Sequence, residues 1–261
     1  MGVLRRNYIV REPAPEFSPK KHRVSNTLKI QAHDHFEFVP ETLFLAVNYI
    51  DRFLTAQAIR AVDMPLVGAV ALLIAAKMEE TVYPSLDHFA TCTCSDISEA
   101  DIVQGEKIML QRLSYELGSP SPSEYIEWTQ DGASVDRDTS LLTSYFVEAA
   151  IMNHLFIGCP SSFLAAASLN LSLIVLEKGD WTEDLVSSYG FGTAVLTVPS
   201  FDIWASCRHA LTRHPAVYKK YSSKTFDAVA IKVQGIVQQE KVNTPVDLLP
   251  TQNLERQAFW A

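Results

Sequence analysis

Residues 40–54 read Pro40-Glu41-Thr42-Leu43-Phe44-Leu45-Ala46-Val47-Asn48-Tyr49-Ile50-Asp51-Arg52-Phe53-Leu54. A proline and an acid open this stretch, as they do in the first turn of a helix. Leu43, Val47, Ile50 and Leu54 then recur on one face at helical spacing. A second block, residues 65–80, reads Pro65-Leu-Val-Gly-Ala-Val-Ala-Leu-Leu-Ile-Ala-Ala-Lys77-Met-Glu-Glu80. It is apolar nearly all round, which predicts central burial. Gly68, Ala69, Ala71, Ala75 and Ala76 are small enough to let neighbouring helices approach closely, so this helix should be the hub of a bundle.

The same logic extends outward. Pro84 opens a short helix through Phe89. Ser98 followed by Asp101 has the spacing of a capping box, and the helix behind it carries Ile102, Met109, Leu110 and Leu113 on one side. Gly118, Pro120 and Pro122 then break the pattern and mark a domain boundary. Beyond it, Leu142, Tyr145, Phe146, Ala149 and Met152 form an amphipathic face. Pro160 opens a second small-residue helix, from Phe163 to Leu176, with Gly179 placed as its C-cap. Pro65–Lys77 and Pro160–Leu173 make a weak internal repeat. Later helices are expected over about 193–211, kinked by Pro199, and about 224–238. Strand signals are nearly absent. The pattern predicts an all-α protein of two tandem bundles of about five helices each. An extended, basic, proline-rich arm is expected at 1–22, with domains at 23–118 and 119–240 and a loose tail at 241–261.

Composition narrows the function. The chain has 261 residues, 48% hydrophobic and 20% charged, enough apolar surface for a real core. Its net charge of −8 argues against nucleic-acid binding, which usually needs a basic face. Four cysteines, Cys92, Cys94, Cys159 and Cys207, include only one close pair, in a C-x-C spacing unlike that of structural zinc. They read as structural thiols in a reducing compartment. The longest apolar runs, Leu66–Ala76 and Phe163–Leu176, fall short of the roughly 18–20 residues of a bilayer span. No P-loop, nucleophile elbow or glycine fingerprint is present, and neither Asp87-His88 nor His33-Asp34-His35 has metalloenzyme spacing. No cofactor, metal, membrane or nucleic-acid partner is therefore expected, and no enzymatic activity.

The two blocks together resemble the cyclin box: the first is similar to its PETL…VN-x-IDRFL helix, the second to its buried central helix. The resemblance covers about 24–240 and is most like fungal B-type mitotic cyclins, through segments such as Tyr145–Met152, Phe156–Ala167, Lys178–Thr182 and His214–Tyr221. It implies two tandem five-helix cyclin folds in the nucleus and cytoplasm, and a function as regulatory subunit of a cyclin-dependent kinase. Lys77 and Glu106 match the pair that hydrogen-bonds kinase backbone near its αC helix. Ile74, Met78, Leu110 and Leu117 match the apolar pocket for an αC isoleucine, and Tyr115 the aromatic position beside it. Met78 stands where most relatives carry an aromatic residue. Methionine is flexible enough to fill irregular space.

The sequence departs from the family just before Pro40. The Met-Arg-x-Ile-Leu-x-Asp-Trp-Leu pattern of the first box helix is replaced by Lys21-His-Arg-Val-Ser-Asn-Thr-Leu-Lys29. The resemblance makes Lys21, Val24, Ser25, Leu28, Met64 and Pro65 a degenerate docking groove for Arg-x-Leu motifs, so weak or absent docking is expected. It also sets Asp51 against the arginine of the lost motif, for which Arg23 or His22 substitutes. Mitotic cyclins carry a long N-terminal tail, which is not expected here. Ser18-Pro19-Lys20-Lys21 has the spacing of a proline-directed kinase site. Two alternatives stay open at this point: a diverged cyclin fold that no longer activates a kinase, and a transcription-factor-like tandem cyclin fold.

Overall fold

A computed structural model of the chain describes residues 32–33, 35–93, 97–132 and 135–239. The N-terminal arm, the eroded first helix and the C-terminal tail lie outside the described residues. Within them the protein is all-α, with no strand. Four helices of the first unit lie wholly within the described residues: α1 (Pro40–Ala56), α2 (Met64–Glu79), α3 (Leu86–Thr93) and α4 (Glu99–Arg112). The second unit has five helices of 11 to 15 residues, α5 (Pro122–Gly132), α6 (Arg137–Ala150), α7 (Ser161–Val175), α9 (Thr193–Cys207) and α12 (Val229–Gln239). Three shorter ones, α8 (Glu183–Tyr189), α10 (Ala210–Arg213) and α11 (Pro215–Tyr221), complete it.

Each unit is organised around its alanine-rich helix. Val67 through Ala76 of α2 are all buried, and α2 packs against α1, α3 and α4. Phe163 through Ser172 of α7 are likewise buried, and α7 touches α5, α6, α8 and α9. The helix Ala61–Glu79, counted with its leading 3-10 turn, is long and apolar enough to cross a membrane by length and composition. The uninterrupted apolar run, Leu66–Ala76, is shorter than this helix because the helix begins several residues before it and ends after it. The apolar surface is the protein's own core helix, closed over by neighbours.

α1 joins the two cores. Leu43, Phe44 and Val47 lie in the second unit's core, whereas Tyr49, Ile50, Phe53 and Leu54 lie in the first. The stripe expected on one face is continuous, but its N-terminal half and its C-terminal half meet different partners. Glu41 reinforces the seam by accepting from the Ser123 hydroxyl of α5 at 2.5 Å. Ahead of α1, Phe36 stacks on Phe38 and Phe89, and His33 donates through Nε2 to the Val39 carbonyl, 2.8 Å away.

The termini follow local chemistry. Ser98 and Asp101 form the capping box reciprocally at the start of α4. Pro122, read as a breaker, is instead the first residue of α5, where a proline costs no hydrogen bond. α7 ends without help from Gly179. Glu177 takes the left-handed turn at φ 52°, and Lys178 N donates back to the Leu173 carbonyl. The helix expected to reach 211 stops at Cys207 and restarts at Ala210.

The second core buries charge. Lys220 Nζ lies 2.6 Å from Glu148 Oε1, their side chains 7% and 2% exposed, and the Tyr221 hydroxyl donates to the same oxygen at 2.8 Å. His214 is fully buried beside Tyr145. Burial first, then the nearby Arg213 charge, holds its imidazole down to about 4. Its ordinary value in an unfolded chain is 6.5, so between pH 6.5 and about 4 the unfolded state binds a proton that the folded state refuses. Stability should be insensitive to this group above pH 6.5 and fall as pH drops through that window, by about 3 kcal/mol in all. Urea denaturation of His214→Gln against the parent at pH 7.5 and 5 checks this. The variant should lose less stability than the parent on acidification.

Candidate functional site

α2 and α4 converge where Lys77 meets Glu106. Lys77 sits in the last turn of α2, where a cation suits the helix dipole. Its Nζ lies 2.6 Å from Glu106 Oε1, with side chains 36% and 19% exposed. The approach of the two helices is set one residue earlier. A Cβ on Gly105 would stand 2.8 Å from Cγ2 of Val70, which is buried and β-branched and has little room to turn. Gly105→Ala should therefore lose about 1 kcal/mol net, an overpacking cost of about 1–3 kcal/mol exceeding the helix-propensity gain. Guanidinium denaturation measures it, and a gain in stability would contradict so close an approach.

Met78 is half exposed and Tyr115 65% exposed, while Leu110 and Leu117 are partly buried against the first core. Ile74 differs from its sequence assignment: at 2% exposure it belongs to the first core and is not on the open surface. Tyr115 is presented by a turn in which Ser114 and Tyr115 both take left-handed backbone, at φ 55° and 58°. The turn is secured from α1. The Tyr49 hydroxyl donates to the Leu117 carbonyl at 2.8 Å, and Arg52 Nη1 to the Glu116 carbonyl at 2.8 Å. Burial, then the charge of Glu79, raises the Tyr49 phenol, so it is a donor at neutral pH.

Glu80, the second of the paired glutamates after Met78, has a different task. Glu80 Oε1 accepts from the Val39 amide at 2.9 Å and from the Thr42 hydroxyl at 2.6 Å. It is thus the acid at the positive end of α1, a role that the spacing of the two blocks hides.

The groove residues divide. Met64 is buried, 3% exposed, in the first core, a correction to its expected place on an open wall. Helix α2 begins at that residue, and its apolar chain faces inward. Pro65 is half-buried. Lys21, Val24, Ser25, Leu28, His22, Arg23 and Ser18 lie outside the described residues. Asp51 is half-buried and close to Cys159 of the second unit. Burial first, then the Asp51 charge, pushes that thiol up to about 12. Cys207, fully buried, is also raised to about 12 by burial. Both thiols stay protonated at neutral pH. Among the described residues no group of three or more His, Cys, Asp or Glu is placed to hold a metal.

The cyclin N-terminal domain profile matches residues 3–118, and the cyclin C-terminal domain profile matches 120–234. The chain belongs to the cyclin family. This cyclin is 35% identical over 205 residues to G2/mitotic-specific cyclin-4 of Candida albicans, covering 78% of this chain and 42% of that one. It is 33% identical over 197 residues to G2/mitotic-specific cyclin-B of Emericella nidulans, covering 76% and 41%. It therefore spans less than half the length of these curated relatives. A viral cyclin from herpesvirus saimiri shares the fold, with a TM-score of 0.66 at 14% identity over 75% of this chain and 87% of that one. The yeast RNA polymerase II CTD kinase CTDK-1 complex has a chain matching with a TM-score of 0.63 at 17% identity, covering 75% and 69%.

Proposed function

We propose that this cyclin is the non-catalytic regulatory subunit of a cyclin-dependent serine/threonine kinase acting in G2/M control, in the nucleus and cytoplasm. The observation that carries the reading is the Lys77–Glu106 pair, joining α2 to α4 and half open at the surface, with Met78, next to Lys77 in the chain, and Tyr115 both exposed. The G2/mitotic names of its relatives support the cell-cycle assignment.

The chemistry is that of a population shift. A kinase needs its αC glutamate paired with the β3 lysine before phosphoryl transfer. Lys77 donates to carbonyls and Glu106 accepts from amides of the kinase backbone near αC, while Met78, Tyr115, Leu110 and Leu117 take the apolar αC side chain. Binding the inward αC arrangement better than the outward one moves the equilibrium by that difference in affinity. Arg-x-Leu docking is weak or absent, because Lys21 and Ser25 replace apolar anchors. The Ser18-Pro19-Lys20-Lys21 site is a substrate of the bound kinase. Co-purification of the full chain with a mitotic cyclin-dependent kinase subunit tests the reading. Stable co-elution is expected, and its absence at micromolar concentrations would remove it.

A further inference from the structure

We propose that Tyr49 and Arg52, on the buried helix α1, are positioning residues that hold the turn Leu113–Leu117 in the shape that presents Tyr115 to the kinase. The inference rests on the kinase-binding reading above and adds two residues to it. Two consecutive non-glycine residues in left-handed backbone are strained, and such strain persists only where the surroundings over-determine it. Here they do. Within the turn, Tyr115 N donates to the Leu110 carbonyl and Glu116 N to the Leu113 carbonyl, each at 3.0 Å. From outside it, Tyr49 and Arg52 donate to the carbonyls of Leu117 and Glu116, the two residues that follow Tyr115. The second guanidinium nitrogen of Arg52 reaches toward the Leu113 carbonyl at 3.5 Å, on the other side of the turn. The planar fork of arginine thus spans both ends, which a lysine could not do. Tyr49 is fully buried, so its hydroxyl is fixed by the packing of α1 against α2. Tyr115 itself, 65% exposed, is left free to contact a partner.

The test has two arms, both on the full chain. In the free protein, Arg52→Ala should speed hydrogen exchange at the Tyr115 and Glu116 amides at least about tenfold, leaving the amides of mid-α2 unchanged. Affinity for a mitotic cyclin-dependent kinase subunit is then measured as a cycle with Tyr115→Ala. Arg52→Ala should weaken binding about tenfold when Tyr115 is intact and less than about twofold in the Tyr115→Ala background, because contacting groups acting through one another are not additive. Tyr49→Phe, which keeps the ring and deletes only one donor, should show the same coupling at about threefold, and serves if Arg52→Ala folds poorly. Equal losses in both backgrounds, or unchanged exchange, would overturn the positioning role while leaving the kinase reading intact. A parent chain that binds no kinase would instead remove the kinase reading, and the positioning role with it.

Discussion

Lys77→Ala combined with Glu106→Ala should weaken kinase binding at least about 100-fold while leaving the fold nearly untouched. Hydrogen bonds to charged groups contribute about 1.5–3 kcal/mol each, and two are lost. At 1.4 kcal/mol per tenfold, two such losses reach about 3 kcal/mol even at the low end. The pair is half open to solvent, 36% and 19% exposed, so its own contribution to folding is small, about 0–1 kcal/mol. Removing both partners together matters. Lys77→Ala alone would leave Glu106, the better buried of the two, without its cation. Isothermal titration with the kinase subunit, alongside thermal unfolding of the free chain, separates the two quantities. A fall in melting temperature with affinity unchanged would mean that the pair is structural only.

Lys220→Met should be the most damaging single change in the second unit. Lys220 and Glu148 are both nearly inaccessible, and the methionine would abandon a carboxylate among apolar neighbours. Breaking a buried pair from one side costs about 3–5 kcal/mol. The Tyr221 hydroxyl still donates to Glu148 and favours the lower end of that range. For a protein of this size the melting temperature should fall by about 10 °C. Adding Glu148→Gln should restore most of the loss, because a neutral amide keeps the Tyr221 contact without a stranded charge. Differential scanning calorimetry of the three variants is the check. A double variant no better than the single would show that packing, and not charge, dominates there.

The hubs were legible because burial on every side leaves an unmistakable apolar run with small residues at the crossings. The capping box was legible because it is local. What escaped the reading is long-range. Glu80 looks like the tail of one block, yet it caps the other 38 residues away at Thr42. Tyr49 and Arg52 stand in the quoted stretch itself, but their acceptors are backbone carbonyls 68 and 64 residues on, and carbonyls have no sequence signature. Ile74 and Met78 share a helical face, yet one is core and the other surface. The difference depends on where neighbouring helices end, which periodicity does not encode. Gly105 carries no turn signal because its use is the close approach of Val70.

The central claim is that the surface around Lys77 and Glu106 switches a kinase on. The direct measurement is histone phosphorylation by a monomeric mitotic cyclin-dependent kinase subunit titrated with this chain. Saturable activation is expected from the parent, with almost none from the Lys77→Ala, Glu106→Ala variant at the same concentrations. Activation by both proteins alike, or by neither when the parent binds, would contradict it.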